Sequence, residues 1–191
     1  MTTTVSAVQT TTTSSPVSTW TIDPAHSLVE FAVKHMMFST VKGRFGDVSG
    51  MLTIDETDLS RSSVEVEIAT ASVDTREPQR DAHLRSPDFF DAERFLTLTF
   101  RSTRVEPVTE AHVRVGGDLT IRDVTREVVL DTHLNGRGTN PYGKNVVGFS
   151  AETSINRKDF GLSWNVALEA GGWLVGDTIK ISLEVEAIQQ D

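Results

Sequence analysis

The stretch TIKISLEVEA, residues 178–187, sets Ile179, Ile181, Leu183 and Val185 on one side of an extended chain and Lys180, Ser182, Glu184 and Glu186 on the other. Side chains of a β-strand alternate between two faces, so this period predicts a strand with one face in an apolar interior and one in water. Half-buried strands of that kind belong to antiparallel sheets. The same period recurs along the chain. SVEVEIA (63–69) sets Val64, Val66 and Ile68 against Glu65 and Glu67, and FLTLTFRS (95–102) alternates Leu96, Leu98 and Phe100 with polar residues. HVRVGGDLTIRD (112–123) carries Val113, Val115, Leu119 and Ile121; REVVLDTHLNG (126–136) carries Val128, Leu130, Thr132 and Leu134; VVGFSAETSI (146–155) carries Val147, Phe149, Ala151 and Ile155. With WTI at 20–22, HSLVEFAVKH at 26–35 and GRFGDVSGMLTI at 43–54, the chain predicts about eight or nine strands, a number suited to a sandwich or a closed barrel.

Two segments break the period. EPQRDAHLRSPDFFDAERF (77–95) places Pro78 where a helix opens and offers a second start at Ser86-Pro87, which predicts a small helical cap. SWNVALEAGG (163–172) is expected to form another, ended by Gly171 and Gly172. Gly43, Gly46 and Gly50 fall in one strand-like segment in which Phe45 is out of phase with Val48, Leu52 and Ile54, the pattern a β-bulge leaves. Residues 1–18, rich in Thr and Ser, are expected to be a disordered tail preceding one barrel domain at 19–191. The tail has no Lys or Arg and no continuous apolar core, and no apolar run elsewhere is long enough to span a bilayer. The expected location is therefore cytoplasmic, without stable membrane insertion.

Composition narrows the chemistry. A net charge of −9, from 18 basic and 27 acidic residues, disfavours nucleic acid and anionic membranes as partners. With no cysteine in the chain, disulfides, thiolate nucleophiles and cysteine-bound metals are excluded. The five histidines form neither HExxH nor an HxH pair, so no metal site is expected, and His112 and His133 read as surface residues. No GxSxG elbow is present, and GRGTNPYGK lacks the phosphate-cradling order, so no catalytic residue and no cofactor are assigned.

In HSLVEFAVKH the strand period separates the two histidines, placing His35 with Val29, Phe31 and Val33 on the inner face and His26 with Glu30 and Lys34 on the outer. His35 is then either a core histidine satisfied by a hydrogen bond or a polar contact for a ligand's head group. The cap adds Arg76, Arg80, His83 and Arg85, which read as a salt-bridge patch with Glu77, Asp81 and Asp88 or as an anion site. Small barrels either fill with side chains or hold one ligand, and the pattern is compatible with both.

Taken in order, WTIDPAHSLVEFAVKH, VKGRFGDVSGMLTID, RDAHLRSPDFFDAERF, GDLTIRDVTREVVL, GFSAETSINRKDFGL and DTIKISLEVE resemble the YceI family over residues 19–190. That resemblance implies an all-β fold, an extended antiparallel eight-stranded lipocalin-like β-barrel with short helical caps. It implies non-catalytic binding, transport or storage of a polyisoprenoid or similar long-chain amphiphilic lipid, such as an isoprenoid quinone or prenyl phosphate, and a possible homodimer. The expected tunnel walls are Phe31, Val33, Val66, Ile68, Leu98, Phe100, Leu119, Ile121, Leu130, Phe149, Ile181 and Leu183, and the head-group candidates are His35, Arg80, His83 and Arg85. The competing readings are an enzyme or accessory protein acting on a lipid-derived compound and a filled barrel serving as a protein-interaction module. The chain departs from the family pattern at MMF (36–38), and at Asp123, where glycine is usual and where Asp is expected to take the left-handed turn position.

Overall fold

The computed structural model describes residues 16–169 and 171–190. Eleven strands form one antiparallel sheet: β1 (Val17–Ile22), β2 (Leu28–His35), β3 (Ser39–Phe45), β4 (Val48–Asp55), β5 (Ser63–Ala69), β6 (Val73–Asp74), β7 (Thr97–Thr109), β8 (His112–Ile121), β9 (Val124–Thr139), β10 (Asn145–Asn156) and β11 (Val175–Gln189). One edge of β11 pairs with β10, while its other edge pairs with β2 over Val175–Glu184 and then with β1 over Ala187–Gln189. This double pairing closes the sheet into a barrel. Closure gives every stave a partner on both sides along part of its length, which limits the edge open to pairing with other chains.

The strand count exceeds the expected eight or nine because three staves of the eight-stave barrel are each broken in two. β1 and β2 continue one another across residues 23–27, β3 and β4 across 46–47, and β5 and β6 across 70–72. The latter two breaks lie side by side: Gly46 N–H donates to Ser72 O at 3.2 Å and Ala69 N–H to Asp47 O at 2.9 Å. The phase change in GRFGDVSGMLTI therefore marks this junction between two strands with different partners, and not a bulge within one strand. Phe45 and Val48 are both buried although three residues apart, a spacing that no continuous strand could hold on one face.

The cap forms at one site and not at the other. α1 spans Pro78–Arg85, with Pro78 in its first turn and the Glu77 carboxylate accepting from the N–H groups of Gln79 and Arg80. Residues 86–94 continue as hydrogen-bonded turns and not as a second helix. Residues 163–169 are irregular, joined by an isolated bridge from Ala167 to Trp173. The Asn165 side chain explains the failure of the expected helix: its Oδ1 accepts from Val166 N and Val175 N, and its Nδ2 donates to Val175 O. Such bonds offer the backbone partners that a helix would otherwise supply.

Other local expectations also change. Val17 and Ser18 belong to β1, paired with Asp55 and Ile54, so the barrel begins two residues before the expected boundary; residues 1–15 of the expected tail lie outside the described residues. Leu96 precedes β7 and is exposed. At the β8–β9 turn Arg122, not Asp123, takes the positive φ of 60°. The β2–β3 hairpin turns through Met36 and Met37 with φ of 51° and 67°, closed by Phe38 N–H on His35 O at 3.1 Å. Among the described residues no helix is long and apolar enough to cross a membrane.

Candidate functional site

The inward faces of the staves enclose an elongated apolar cavity of about 340 Å³, within the roughly 300–1,000 Å³ of small-molecule pockets. All twelve residues expected on the tunnel wall line it: Phe31, Val33, Val66, Ile68, Leu98, Phe100, Leu119, Ile121, Leu130, Phe149, Ile181 and Leu183. They do so because each continues a two-residue period whose other phase is largely polar, and the ladder locks those phases together: Phe149 pairs with Val185, Ile181 with Phe31, and Phe100 with Leu119 and Val66. Packing at the two ends bounds the space. Leu84, Phe89, Phe90 and Leu162 border it near α1, where Phe45 stands 5.7 Å from both Phe31 and Phe90, and Leu59, Ala111 and Leu134 border the other end.

Polar groups are few along the wall. Thr132 and Thr153 bring hydroxyls to the middle from β9 and β10, Thr53, Ser62, Ser63, Glu110 and Arg137 stand at the end away from α1, Ser27 and Glu30 border the cavity at the start of β2, and Arg157 borders it beside Leu162. Among the described residues that line the cavity, none is a histidine. The two lining guanidiniums are both already matched: Arg137 is paired with Glu56, and Arg157 reaches Asp177 at 3.2 Å.

Arg157 was not anticipated from sequence. Its side chain is 3% exposed. Nε donates to Gly176 O at 2.9 Å, Nη1 to Leu162 O and Trp164 O, and Nη2 to Val175 O and Asp177 Oδ1. Burial pulls its proton affinity down, and the Asp177 carboxylate opposes that shift. One guanidinium thus ties the irregular 162–164 segment to the start of β11, closing that end of the barrel with bonds to carbonyls that have few other partners.

The four residues expected at a head group stand elsewhere. His35 ends β2 opposite Val175 and Ser39 and does not line the cavity. It is the last residue of β2, at the hairpin that turns through Met36 and Met37, so the stripe of Val29, Phe31 and Val33 leaves the cavity before reaching it. Arg80 donates to Thr75 Oγ1 at 2.7 Å and to Thr75 O at 2.9 Å; Arg85 donates to Ala71 O and Val73 O at 2.8 and 2.7 Å. His83 bonds Asp88 at 2.8 Å and packs edge-on against Phe89 and Trp164. These three side chains fasten α1 to the segment that leads into it and to the loop behind it. His26 stays in the turn between β1 and β2, its Nδ1 2.8 Å from Asp23, and that bond raises the His26 pKa and lowers that of Asp23.

Comparison with known proteins agrees with this architecture. The model of the YceI-like domain matches residues 20–187. A UPF0312 protein of Staphylococcus aureus is 37% identical over 171 residues, covering 89% of this chain and 97% of its own. The Campylobacter jejuni YCEI protein superposes with a TM-score of 0.68 at 32% identity, over 83% of this chain and 90% of that one. A polyisoprenoid binding domain from Saccharophagus degradans has the same fold, with a TM-score of 0.69 at 15% identity over 90% of this chain and 98% of its own. A closed barrel of broken and whole staves around one long apolar cavity, matched end to end by these sequences and structures, places the chain in the YceI-like family.

Proposed function

We propose that the protein holds a polyisoprenoid, or a similar long-chain amphiphile, in this cavity as a non-catalytic carrier or store. The observation that carries the reading is the continuity of the apolar lining from Phe89 and Phe90 near α1 to Leu59 and Leu134 at the other end. A chain of methyl-branched units leaving water for such a wall gains on the order of 0.8 kcal/mol per buried carbon, before the costs of association. The name of the Saccharophagus degradans domain supports the same ligand class.

The proposed head group is uncharged and quinone-like. A phosphate needs unmatched cations, and both guanidiniums on the lining are neutralised by Glu56 and Asp177. A quinone carbonyl needs only a donor, and Thr53, Ser62, Thr132 and Thr153 offer hydroxyls along the wall. Solvent extraction of the purified protein, followed by mass spectrometry, tests the proposal. The expected result is a near-stoichiometric isoprenoid quinone, or uptake of one added to emptied protein. A clean extract with no uptake of prenyl quinone or prenyl phosphate refutes lipid carriage, and uptake of the phosphate alone refutes the uncharged head group.

A further inference from the structure

The outer wall of the barrel carries a cluster that sequence spacing keeps apart and strand register assembles. β8 and β9 pair so that His112 stands directly across from His133, and the two rings stack with centroids 4.3 Å apart and planes 14° from parallel. Asp131, two residues before His133 on the same face, lies 2.5 Å from His112 Nε2. One ligand atom from each of the three residues falls within 4.8 Å of the others. A polar groove of about 350 Å³ adjoins the cluster, lined by Asp131, His133, Ser150, Glu152, Ser182 and Glu184. In register, Glu152 stands across from Asp131 on β10 and Ser150 across from His133.

Two features point to a cation. The stacked rings bring two imidazoles, each with ring nitrogens that can act as ligands, beside a carboxylate oxygen within 4.8 Å. Glu152 and Glu184 add negative charge on the solvent side, and Arg114 faces Asp131 across the β8–β9 pair. The groove leaves room for the waters that complete a coordination sphere.

We propose that His112, His133 and Asp131 form a binding site for a borderline divalent transition metal of the zinc class, on the outside of the barrel and independent of the lipid cavity. Two imidazole nitrogens and one carboxylate oxygen suit such an ion, whereas magnesium and calcium take oxygen ligands almost alone. Water, oriented by Glu152, fills the remaining position. The ion clips β8 to β9 at the last pair of their ladder, beside the β7–β8 turn. A second cluster, Asp23, His26 and Glu186, offers a single imidazole with two carboxylates, and it serves as the internal comparison.

Full-length protein stripped by a chelator is titrated calorimetrically with zinc chloride near pH 7.5, about one unit above the ordinary imidazole pKa of about 6.5. One zinc per chain is expected. Because loss of a residue that only hydrogen-bonds a metal ligand costs about 10–100-fold in affinity, loss of a ligand itself in His112→Ala or His133→Ala is expected to weaken binding by about tenfold or more. Asp131→Asn weakens it as well, and His26→Ala leaves the isotherm unchanged. Circular dichroism of each metal-free variant verifies that the fold is retained, as the partly or wholly exposed positions of the three side chains lead one to expect. Failure to bind zinc, binding unaffected by both His112→Ala and His133→Ala, or binding abolished by His26→Ala overturns the proposal.

Discussion

Replacing Ala151 by Phe tests whether the cavity is a ligand's seat. Ala151 is buried in the middle of β10 between Phe149 and Thr153, and its cross-strand partners Thr132 and Leu183 also line the cavity. A phenyl ring at this position points into the space a lipid chain would fill. Excluding one isoprene unit of five carbons forfeits about 4 kcal/mol at about 0.8 kcal/mol per carbon. At about 1.4 kcal/mol per tenfold change this weakens binding by several hundredfold. Stability is expected to change little, since the gain of about 1.5–3 kcal/mol from burying the ring offsets the roughly 1–3 kcal/mol cost of crowding the wall. The assay is titration with a polyisoprenoid quinone, followed by quenching of tryptophan fluorescence, beside thermal unfolding of each protein. Glu152→Phe, one residue on and facing outward, is the control and should bind as the parent does. Parent-like affinity in an Ala151→Phe protein whose Tm is also parent-like refutes the reasoning.

Arg157→Ala strips a buried guanidinium from the carbonyls of Leu162, Trp164, Val175 and Gly176 and should cost about 3–5 kcal/mol; a urea midpoint implying less than about 1 kcal/mol refutes its role as the clamp of that end. Gly50→Ala places a methyl group 2.5 Å from Glu65 O and 2.7 Å from Ile22 Cδ1, whereas at Gly46 the nearest atom is 3.9 Å away. Gly50→Ala should therefore lose about 2 kcal/mol, against a change near zero for Gly46→Ala, in chemical denaturation. For His26 the folded pKa is raised, chiefly by its bond to Asp23. Its stabilising contribution is therefore fully present below the unfolded value of about 6.5 and disappears as pH rises through the folded pKa. In an NMR titration the His26 ring should show a midpoint above about 6.5 that falls in Asp23→Asn; an unmoved midpoint rejects the pairing.

The walls of the barrel were legible because a charged phase marks each strand against its apolar phase. Glu65 and Glu67 leave no doubt that Val66 and Ile68 turn inward, and Lys180 and Glu184 do the same for Ile181 and Leu183. What failed to read depends on partners distant in sequence. Gly46 and Asp47 resemble a bulge until β3 is seen to pair with β2 and β6 while β4 pairs with β1 and β5. Arg157 sits in a polar run, INRKDF, and nothing local distinguishes it from Lys158, which is 44% exposed where Arg157 is 3% exposed. His35 continues an apolar stripe, but how far the cavity extends along β2 is set by the elements around its end and not by the stripe. Asn165 reads as an ordinary helix residue until Val175 arrives to bond it.

The pairing of β11 with both β1 and β2 also bears on synthesis of the chain. Ser27 and Glu186, which bond one another at the seam, are 159 residues apart, and β11 is the last of these eleven strands to be synthesised. Until it arrives, β1 and β2 lack one neighbour, β10 lacks another, and the apolar lining faces solvent as an open trough. Contacts this distant in sequence form late and fold slowly, and exposed strand edges during that interval invite aggregation. The C-terminal strand is thus the latch of the nascent protein, and truncation within Val175–Gln189 leaves a chain with two sticky edges and an uncovered interior, a natural substrate for chaperones and proteases.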